Sequence, residues 1–371
     1  MNFEFSEDVL ALRDQARRLL RERSSLRLAR QALEGDAADA AGLWREIARL
    51  GWLGAAVPEE YGGAGLGYEA LCVIAEELGR ELAPVPFSSS VVLATEALLL
   101  MGSEAQKQTW LPRLADGSVI GTLALAEGPG RIGRAMIAAD FAAGELRGSK
   151  WPVPDAAEAG IAIVIARDAA GRILPCLVEL ASPGVTRQPL ETVDGSRGQA
   201  RVVFDGVTAE PLGSVEDGWE KVLSLLDRAA ILTAFEQIGG ASACLQMATD
   251  FARERHAFGR PIGSYQAIKH KLADIFIANE LARSNAYFGA LTLSSSTGDL
   301  PLAAAAARIS AIDAYALASR ENIQTHGGMG FTWEADCHLF YRRAKLLALG
   351  LGSAPYWKER LVARLERRNL G

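Results

Sequence analysis

The chain has 371 residues, 49% apolar and 23% charged, which excludes a disordered chain and, at roughly 150 residues per domain, leaves room for two or three packed cores. Thirty-nine Lys and Arg against 45 Asp and Glu give a net charge of −6 at pH 7, without the basic surplus of a nucleic-acid-binding domain. Cys72, Cys176, Cys244 and Cys337 are too scattered to imply a zinc site or a disulfide framework. The opening MNFEFSEDVL is acidic where a signal peptide needs positive charge, and no uncharged stretch reaches the ~18 residues of a membrane span. A cytoplasmic chain with no membrane span and no nucleic-acid partner is expected.

Residues 6 to about 115 have helical periodicity. In DVLALRDQARRLLRER apolar residues recur every three or four positions (Val9, Leu12, Ala16, Leu19, Leu20), with Ser6 placed to cap the run. Further helices are predicted through AGLWREIARL up to Gly51, from about Tyr68 to about Gly79, through SSSVVLATEALLLMGS, and through EAQKQTWLPRLADG. From about 120 to 213 the pattern changes to short Val/Ile/Leu runs: IGTLALAE, GIAIVIAR, ILPCLVEL and ARVVFDGV. Gly, Pro and Asp punctuate them in GSKWPVPD, ASPG and VDGSRG, so strands and turns are predicted there. Long helices return from Trp219 to about Arg255, from Tyr265 to about Ser295, and from Asp299-Leu300-Pro301 to the stop at Gly327-Gly328. Such helices suit an antiparallel bundle. The reading is an α+β chain: helical domain 1–119, β domain 120–214, helical bundle 215–371.

Gly128-Pro-Gly130-Arg-Ile-Gly133 fits G-x-G-x-x-G, but Pro129 interrupts it, strands follow where a helix is needed, and no acid stands about 20 residues on. His256, His270, His326 and His338 make no metal-ligand spacing, and no G-x-S-x-G elbow is present. No metal is expected. Two helix corners carry more. Arg255-His-Ala-Phe258-Gly259-Arg-Pro261-Ile-Gly263-Ser-Tyr-Gln266 ends one helix in arginine and opens the next with glutamine. An arginine beside a helix N-terminus can hold a phosphate; the same residues also fit an ordinary helix–helix loop. At the second corner, Gln324-Thr-His326-Gly327-Gly328-Met-Gly330-Phe, glycines permit close backbone approach to a ligand and Gln324 can read a polar edge. By itself this corner equally fits a helix C-cap.

Together the corners resemble the acyl-CoA dehydrogenase family, in the order R-x-x-F-G-x-P-I-x-x-x-Q, H-x-L-A-D, Q-x-x-G-G-x-G-F. VPEEYGGAGLG resembles the family's N-terminal P-E-x-x-G-G-x-G loop, and LALAE its middle-domain T-E-P strand. The resemblance implies an N-terminal helical domain, a middle β domain and a C-terminal four-helix bundle. It also implies FAD, an acyl-CoA substrate dehydrogenated between its α and β carbons with a glutamate taking the α proton, and an electron-transfer acceptor. By resemblance Arg255, Phe258, Gln266, Gln324, Gly327 and Gly328 grip the pyrophosphate and adenosine half of a neighbouring subunit's FAD, so an oligomer is implied.

The chain departs from the family elsewhere. The glutamate of R-D-A-K-x-x-x-I-Y-E-G-T is Leu351, which cannot accept a proton. In some relatives the base sits on the preceding long helix, at a position that is Ala229 here; Asp227 and Glu236 lie near it in sequence. On a helix Asp227 points about 200° away and Glu236 lies about 10 Å along the axis, so either could serve only through a shifted helix. The plainer reading of Glu236 is a buried hydrogen-bonding residue beside Gln237. The T-E-P-x-x-G-S strand has Ala126 for threonine and Ile132 for serine, and the W-I-T-N turn reads Pro152-Val153-Pro154-Asp155, with Trp151 one position early.

Groups serving a subunit's own flavin are thus eroded while groups reaching a neighbour's FAD remain. This resembles the non-catalytic partners in heteromeric acyl-CoA dehydrogenases of actinobacterial steroid degradation. The expectation is a subunit paired with a second acyl-CoA dehydrogenase chain, as in a heterotetramer. The alternatives are a homo-oligomeric dehydrogenase using Glu236 or Asp227 as base, and a non-redox acyl-CoA-binding or structural relative.

Overall fold

The structure is a computed structural model that describes residues 5–370 apart from 24, 37, 215, 217 and 296–298. Six helices come first: α1 (Glu7–Arg23), α2 (Ser25–Leu33), α3 (Ala38–Arg49), α4 (Gly67–Arg80), α5 (Glu96–Met101) and α6 (Glu104–Ala115). Eight strands follow: β1 (Gly121–Ala124), β2 (Asp140–Ala142), β3 (Glu145–Pro154), β4 (Ile161–Asp168), β5 (Ile173–Glu179), β6 (Val185–Pro189), β7 (Gln199–Thr208) and β8 (Glu210–Pro211). The chain then forms α7 (Gly218–Glu254), the hairpin strands β9 (His256–Ala257) and β10 (Arg260–Pro261), and α8 (Gln266–Ser295). It closes with α9 (Leu300–His326), α10 (Cys337–Gly350) and α11 (Ala354–Leu370). This is a helical N-terminal region, a central sheet and a helical C-terminal region, as expected.

The chain divides into two compact units. One comprises residues 1–34, 68–83 and 230–371; the other comprises 35–67 and 84–229. In the helical unit, α9 packs on α8, α10 and α11. The core there includes Ala241, Cys244, Ile275, Tyr315, Phe340, Ala344 and Leu347. Asp299 caps α9 by accepting from Leu302 N at 3.3 Å, with Pro301 in the first turn. Among the described residues the stretch Leu300–Phe331 alone has the length and hydropathy to cross a membrane, and half of its apolar window is buried in the protein. The helices α4 and α7 cross with backbones in contact: a Cβ on Gly79 would lie 2.0 Å from Glu236 O, and one on Gly239 would lie 1.9 Å from Glu76 O.

In the other unit the strands run β6-β7-β3-β2-β4-β5-β8, with β1 added beside β4. The pairs β1–β4 and β2–β4 are parallel and the rest antiparallel. Ala124, Leu146, Val164, Cys176, Val202 and Phe204 are among the buried residues of its core. A capping box at Ser103 and Gln106 starts α6, and the Gln106 amide donates to Pro211 O at 3.0 Å, tying that helix to β8.

Two expectations are corrected. GSKWPVPD, read as a turn, lies mostly in strand β3: its pairing with β7 shifts register between Lys150 and Val153, and Pro152, which has no N–H to donate, falls in that irregular stretch. SSSVVLATEALLLMGS does not form a uniform α-helix, since Ser88–Thr95 is a π-helix leading into α5. The rejection of a dinucleotide-binding unit agrees with the structure: the Gly128–Gly133 loop leads into a single 3-10 turn, Arg134–Met136, and not into a long helix.

Candidate cofactor site

At the first corner α7 ends at Glu254, and Arg255 still donates its N–H to Phe251 O at 2.8 Å. The hairpin β9–β10 then turns at Phe258-Gly259, where both residues have positive φ, +51° and +81°. That is the requirement of a two-residue type I′ turn, and a bulky residue rarely meets it. Phe258 sits there with 97% of its surface exposed, a strained backbone holding an apolar ring in solvent. The hairpin is fixed from behind. The Tyr265 hydroxyl donates to Ala257 O at 2.9 Å, and the Arg260 guanidinium lies 4.0 Å over the Tyr265 ring. Gln266 is the first residue of α8, so its side chain stands at the positive end of that helix.

At the second corner Gly327 donates its N–H to Gln324 O and takes φ +59° with ψ −135°, a combination open to glycine alone. A Cβ on Gly327 or Gly328 would meet nothing within 4 Å, so open space and not close packing faces these backbones. The segment beyond is anchored: Arg30 donates to Trp333 O and to Asp336 Oδ1, each at 2.5 Å, and Trp333 Nε1 donates to Glu34 Oε1 at 3.1 Å.

The helical unit brings the two corners together. The Phe251 ring, one turn before Arg255, stacks on the His326 ring with centroids 4.2 Å apart. Lys271 on α8 pairs with Glu321 on α9 at 2.7 Å. Arg255, Gln266 and Gln324 are all exposed, and their side chains have no partner among the described residues. One exposed end of the bundle thus presents a guanidinium, two amides, a helix N-terminus and an exposed glycine pair. These donors suit a diphosphate and the polar edge of a nucleotide, so the residues present fit the adenosine and pyrophosphate half of FAD.

The sheet's loop is different. Residues 125–133 with Met136 and Ile137 line a cavity of about 150 Å3. Ala126 and Ile132 offer it no hydroxyl. Glu127 is committed to the fold: its carboxylate accepts from Ala138 N at 2.9 Å and Ala139 N at 3.0 Å, and from Lys150 Nζ at 2.6 Å. Lys150 is fully buried and also donates to Leu125 O at 3.3 Å; burial lowers its pKa from the usual value. The Trp151 ring covers Gly128, where an added Cβ would lie 3.2 Å from Cζ2. Asp155, the last residue of the altered turn, has φ +50° and accepts from the Ser89 hydroxyl at 2.6 Å. Among the described residues that line this cavity none carries a side-chain hydroxyl, so a flavin ring would find backbone groups and Arg131 here but no hydroxyl.

Among the described residues, none of the positions considered for a base is evidently suited to the role. Leu351 is buried at the end of α10, and its carbonyl accepts from Trp357 Nε1 at 3.0 Å. Glu236 is buried and accepts from the equally buried Arg343 at 3.4 Å. Next to it Arg308 donates to Gln237 Oε1 and to Leu347 O; burial pulls its pKa down to about 9, still cationic at neutral pH. Two buried arginines thus neighbour Glu236, whose carboxylate is engaged within the fold as their counter-ion. Asp227 is buried in the sheet-containing unit, 2% exposed.

Sequence reading missed Lys150 and Arg343. Lys150 follows Leu146 and Gly148 at period two, and Arg343 shares a helical face with Phe340, Ala344 and Leu347, so a charged residue on an apolar face was the available signal.

The acyl-CoA dehydrogenase N-terminal domain family matches residues 6–118, and the acyl-CoA dehydrogenase C-terminal domain family matches 216–365. The acyl-CoA dehydrogenase IpdE2 of Mycobacterium tuberculosis is 32% identical over 345 residues, 91% of each chain. Among solved structures, a variant of the Tcur3481-Tcur3483 steroid ACAD is 30% identical with a TM-score of 0.88, covering 98% of this chain and 99% of that one. The ChsE4-ChsE5 complex from Mycobacterium tuberculosis is 27% identical with a TM-score of 0.89, covering 99% of each chain. With both domain families matched and the identity extending along nearly the whole length, the chain belongs to the acyl-CoA dehydrogenase family of FAD-dependent oxidoreductases.

Proposed function

We propose that this chain is a subunit of a heteromeric, FAD-dependent acyl-CoA dehydrogenase and lends the adenosine and pyrophosphate side of an FAD site to a catalytic partner chain. The observation that carries the reading is the contrast between the two corners of the helical unit and the loop of the sheet-containing unit. Arg255, Gln266 and Gln324 are exposed and without side-chain partners among the described residues, whereas the sheet's loop has lost its hydroxyls and its carboxylates are tied into the fold. The similarity to structures described as a ChsE4-ChsE5 complex and as a Tcur3481-Tcur3483 steroid ACAD supports a two-chain assembly. We retain 1–119, 120–214 and 215–371 as the domain division under this reading.

In this role Arg255 holds the diphosphate, with the α8 N-terminus adding its dipole. Phe258 shields it from water, and the 324–328 corner receives the adenosine. When bound, FAD is the acceptor of the hydride removed from the acyl thioester; the proton acceptor belongs to the partner chain. The homo-oligomeric alternative with Glu236 as base is disfavoured by the Glu236–Arg343 pair.

A charge-assisted contact contributes about 1.5–3 kcal/mol. Arg255→Ala is therefore expected to weaken flavin binding by the assembled complex about 10- to 100-fold while each chain stays folded. Fluorimetric FAD titration of the complex measures it, and unchanged affinity would remove Arg255 from the site.

A further inference from the structure

Behind the second corner the chain is held at His338. The corner's glycines run into the 3-10 turn Gly327–Phe331, and Thr332 closes it by donating its N–H and its hydroxyl to Met329 O, each at 3.0 Å. Trp333 follows. Its ring stacks on the His338 ring of α10 with centroids 4.9 Å apart, and the Arg30 and Arg342 guanidiniums lie 5.8 and 6.0 Å from the indole centroid. His338 Nε2 is 3.3 Å from Trp333 O, and Arg342 Nε is 3.4 Å from His338 Nδ1. A carbonyl only accepts and a guanidinium only donates, so the ring proton sits on Nε2 and Nδ1 is bare. The arrangement requires a neutral imidazole. A proton added at Nδ1 would face the Arg342 N–H, donor against donor and cation against cation. The neighbouring carboxylates are already engaged: Asp336 Oδ1 accepts from Arg30 at 2.5 Å, Glu34 Oε1 accepts from Trp333 Nε1 at 3.1 Å, and Glu334 lies against its own N–H and Thr332. Burial first, then the charges of Arg342 and Arg30, hold the His338 pKa below its ordinary value, against the opposing pull of Trp333 O and Asp336.

We infer that neutral His338 is the positioning residue for the second cofactor corner, and that its protonation releases the segment 332–336 and the corner with it. The inference rests on the reading of the 324–328 corner as an adenosine grip and adds what holds that grip and what loosens it. Because folding depresses this pKa, the contribution of the clamp is whole above the unfolded value of about 6.5 and is lost as pH falls through the folded one. His338 touches no part of the corner's donor set. It acts through Trp333 and Thr332, which join the corner to α10.

Proton NMR of the chain follows its histidines from about pH 7.5 to about pH 5, the resonance missing in His338→Gln being that of His338. Its midpoint should lie below about 6.5, and Arg342→Leu should raise it, because a neighbouring cation is removed. Hydrogen exchange reads the protection of the backbone at 327–336, which should drop about tenfold as His338 titrates, while the protection of α8 holds. In His338→Gln the amide can accept from Arg342 and donate to Trp333 O without titrating, so protection should stay high throughout. His338→Lys carries its charge at every pH in this range and should leave the segment loose even at about pH 7.5. Circular dichroism should show both variants to be as helical as the wild type. In the flavin-loaded complex, FAD affinity should fall over the same range in the wild type and hold in His338→Gln. Protection that ignores the titration, an equal acid loss in His338→Gln or in α8, or a midpoint unmoved by Arg342→Leu overturns the clamp. Protection that behaves as described beside an FAD affinity that does not follow it upholds the clamp and removes the corner from the FAD site.

Discussion

Leu351 stands where the family resemblance places the base, and its surroundings are built for a hydrocarbon. It is buried beside Trp357, whose indole N–H is already satisfied by the Leu351 carbonyl. A carboxylate there would have to stay protonated or be desolvated without a partner. Leu351→Glu is therefore expected to lower stability by about 1–3 kcal/mol and to restore no dehydrogenation in the chain alone. Acyl-CoA-dependent bleaching of flavin absorbance reads the outcome; bleaching without a partner chain would mean that the loop at 126–132 holds flavin well enough. At Glu236 the decisive neighbour is Arg343, with both side chains buried. Arg343→Ala leaves a buried carboxylate short of its cation and should cost about 3–5 kcal/mol. Glu236→Gln keeps a hydrogen-bonding group and should cost clearly less. Urea unfolding of the two variants compares them, and equal costs would deny the ion pair its structural role.

At the scale of elements, glycine sets the approach of α4 to α7. Gly239→Ala would drive a methyl into Glu76 O, which an added Cβ would meet at 1.9 Å. Overpacking of this kind costs about 1–3 kcal/mol and sometimes more; a urea midpoint equal to wild type would show that the helices can part freely. Helices and strands with strong periodicity were legible in the sequence. α7, α8 and α9 start and stop within two residues of their predicted ends, because caps and Gly or Pro signals are local. β3 was hidden by Gly148, Pro152 and Pro154, turn formers that the sheet tolerates through its irregular pairing with β7. β6 was hidden because Thr186, Arg187, Gln188 and Pro189 are exposed and carry no apolar alternation. The two corners were legible for the same local reason as the helix ends. Their meeting through Phe251 and His326, and the pairs Glu127–Lys150 and Glu236–Arg343, join residues far apart in sequence and leave no periodic trace.

For the whole molecule the issue is how many flavins an assembly holds. By family resemblance each FAD lies between one subunit's flavin pocket and its neighbour's adenosine grip, so a symmetric dimer has two sites. If this chain supplies only the grip, a dimer with a complete partner has one competent site. The second site would join the partner's grip to the loop that carries Ala126 and Ile132. A weakened site fills as free ligand rises, whereas a site lacking its contacts stays empty across the accessible range. Flavin absorbance against chain concentration across an FAD titration of the purified complex tests this directly. The account predicts saturation at about one FAD for every two chains; saturation at one FAD per chain would contradict it.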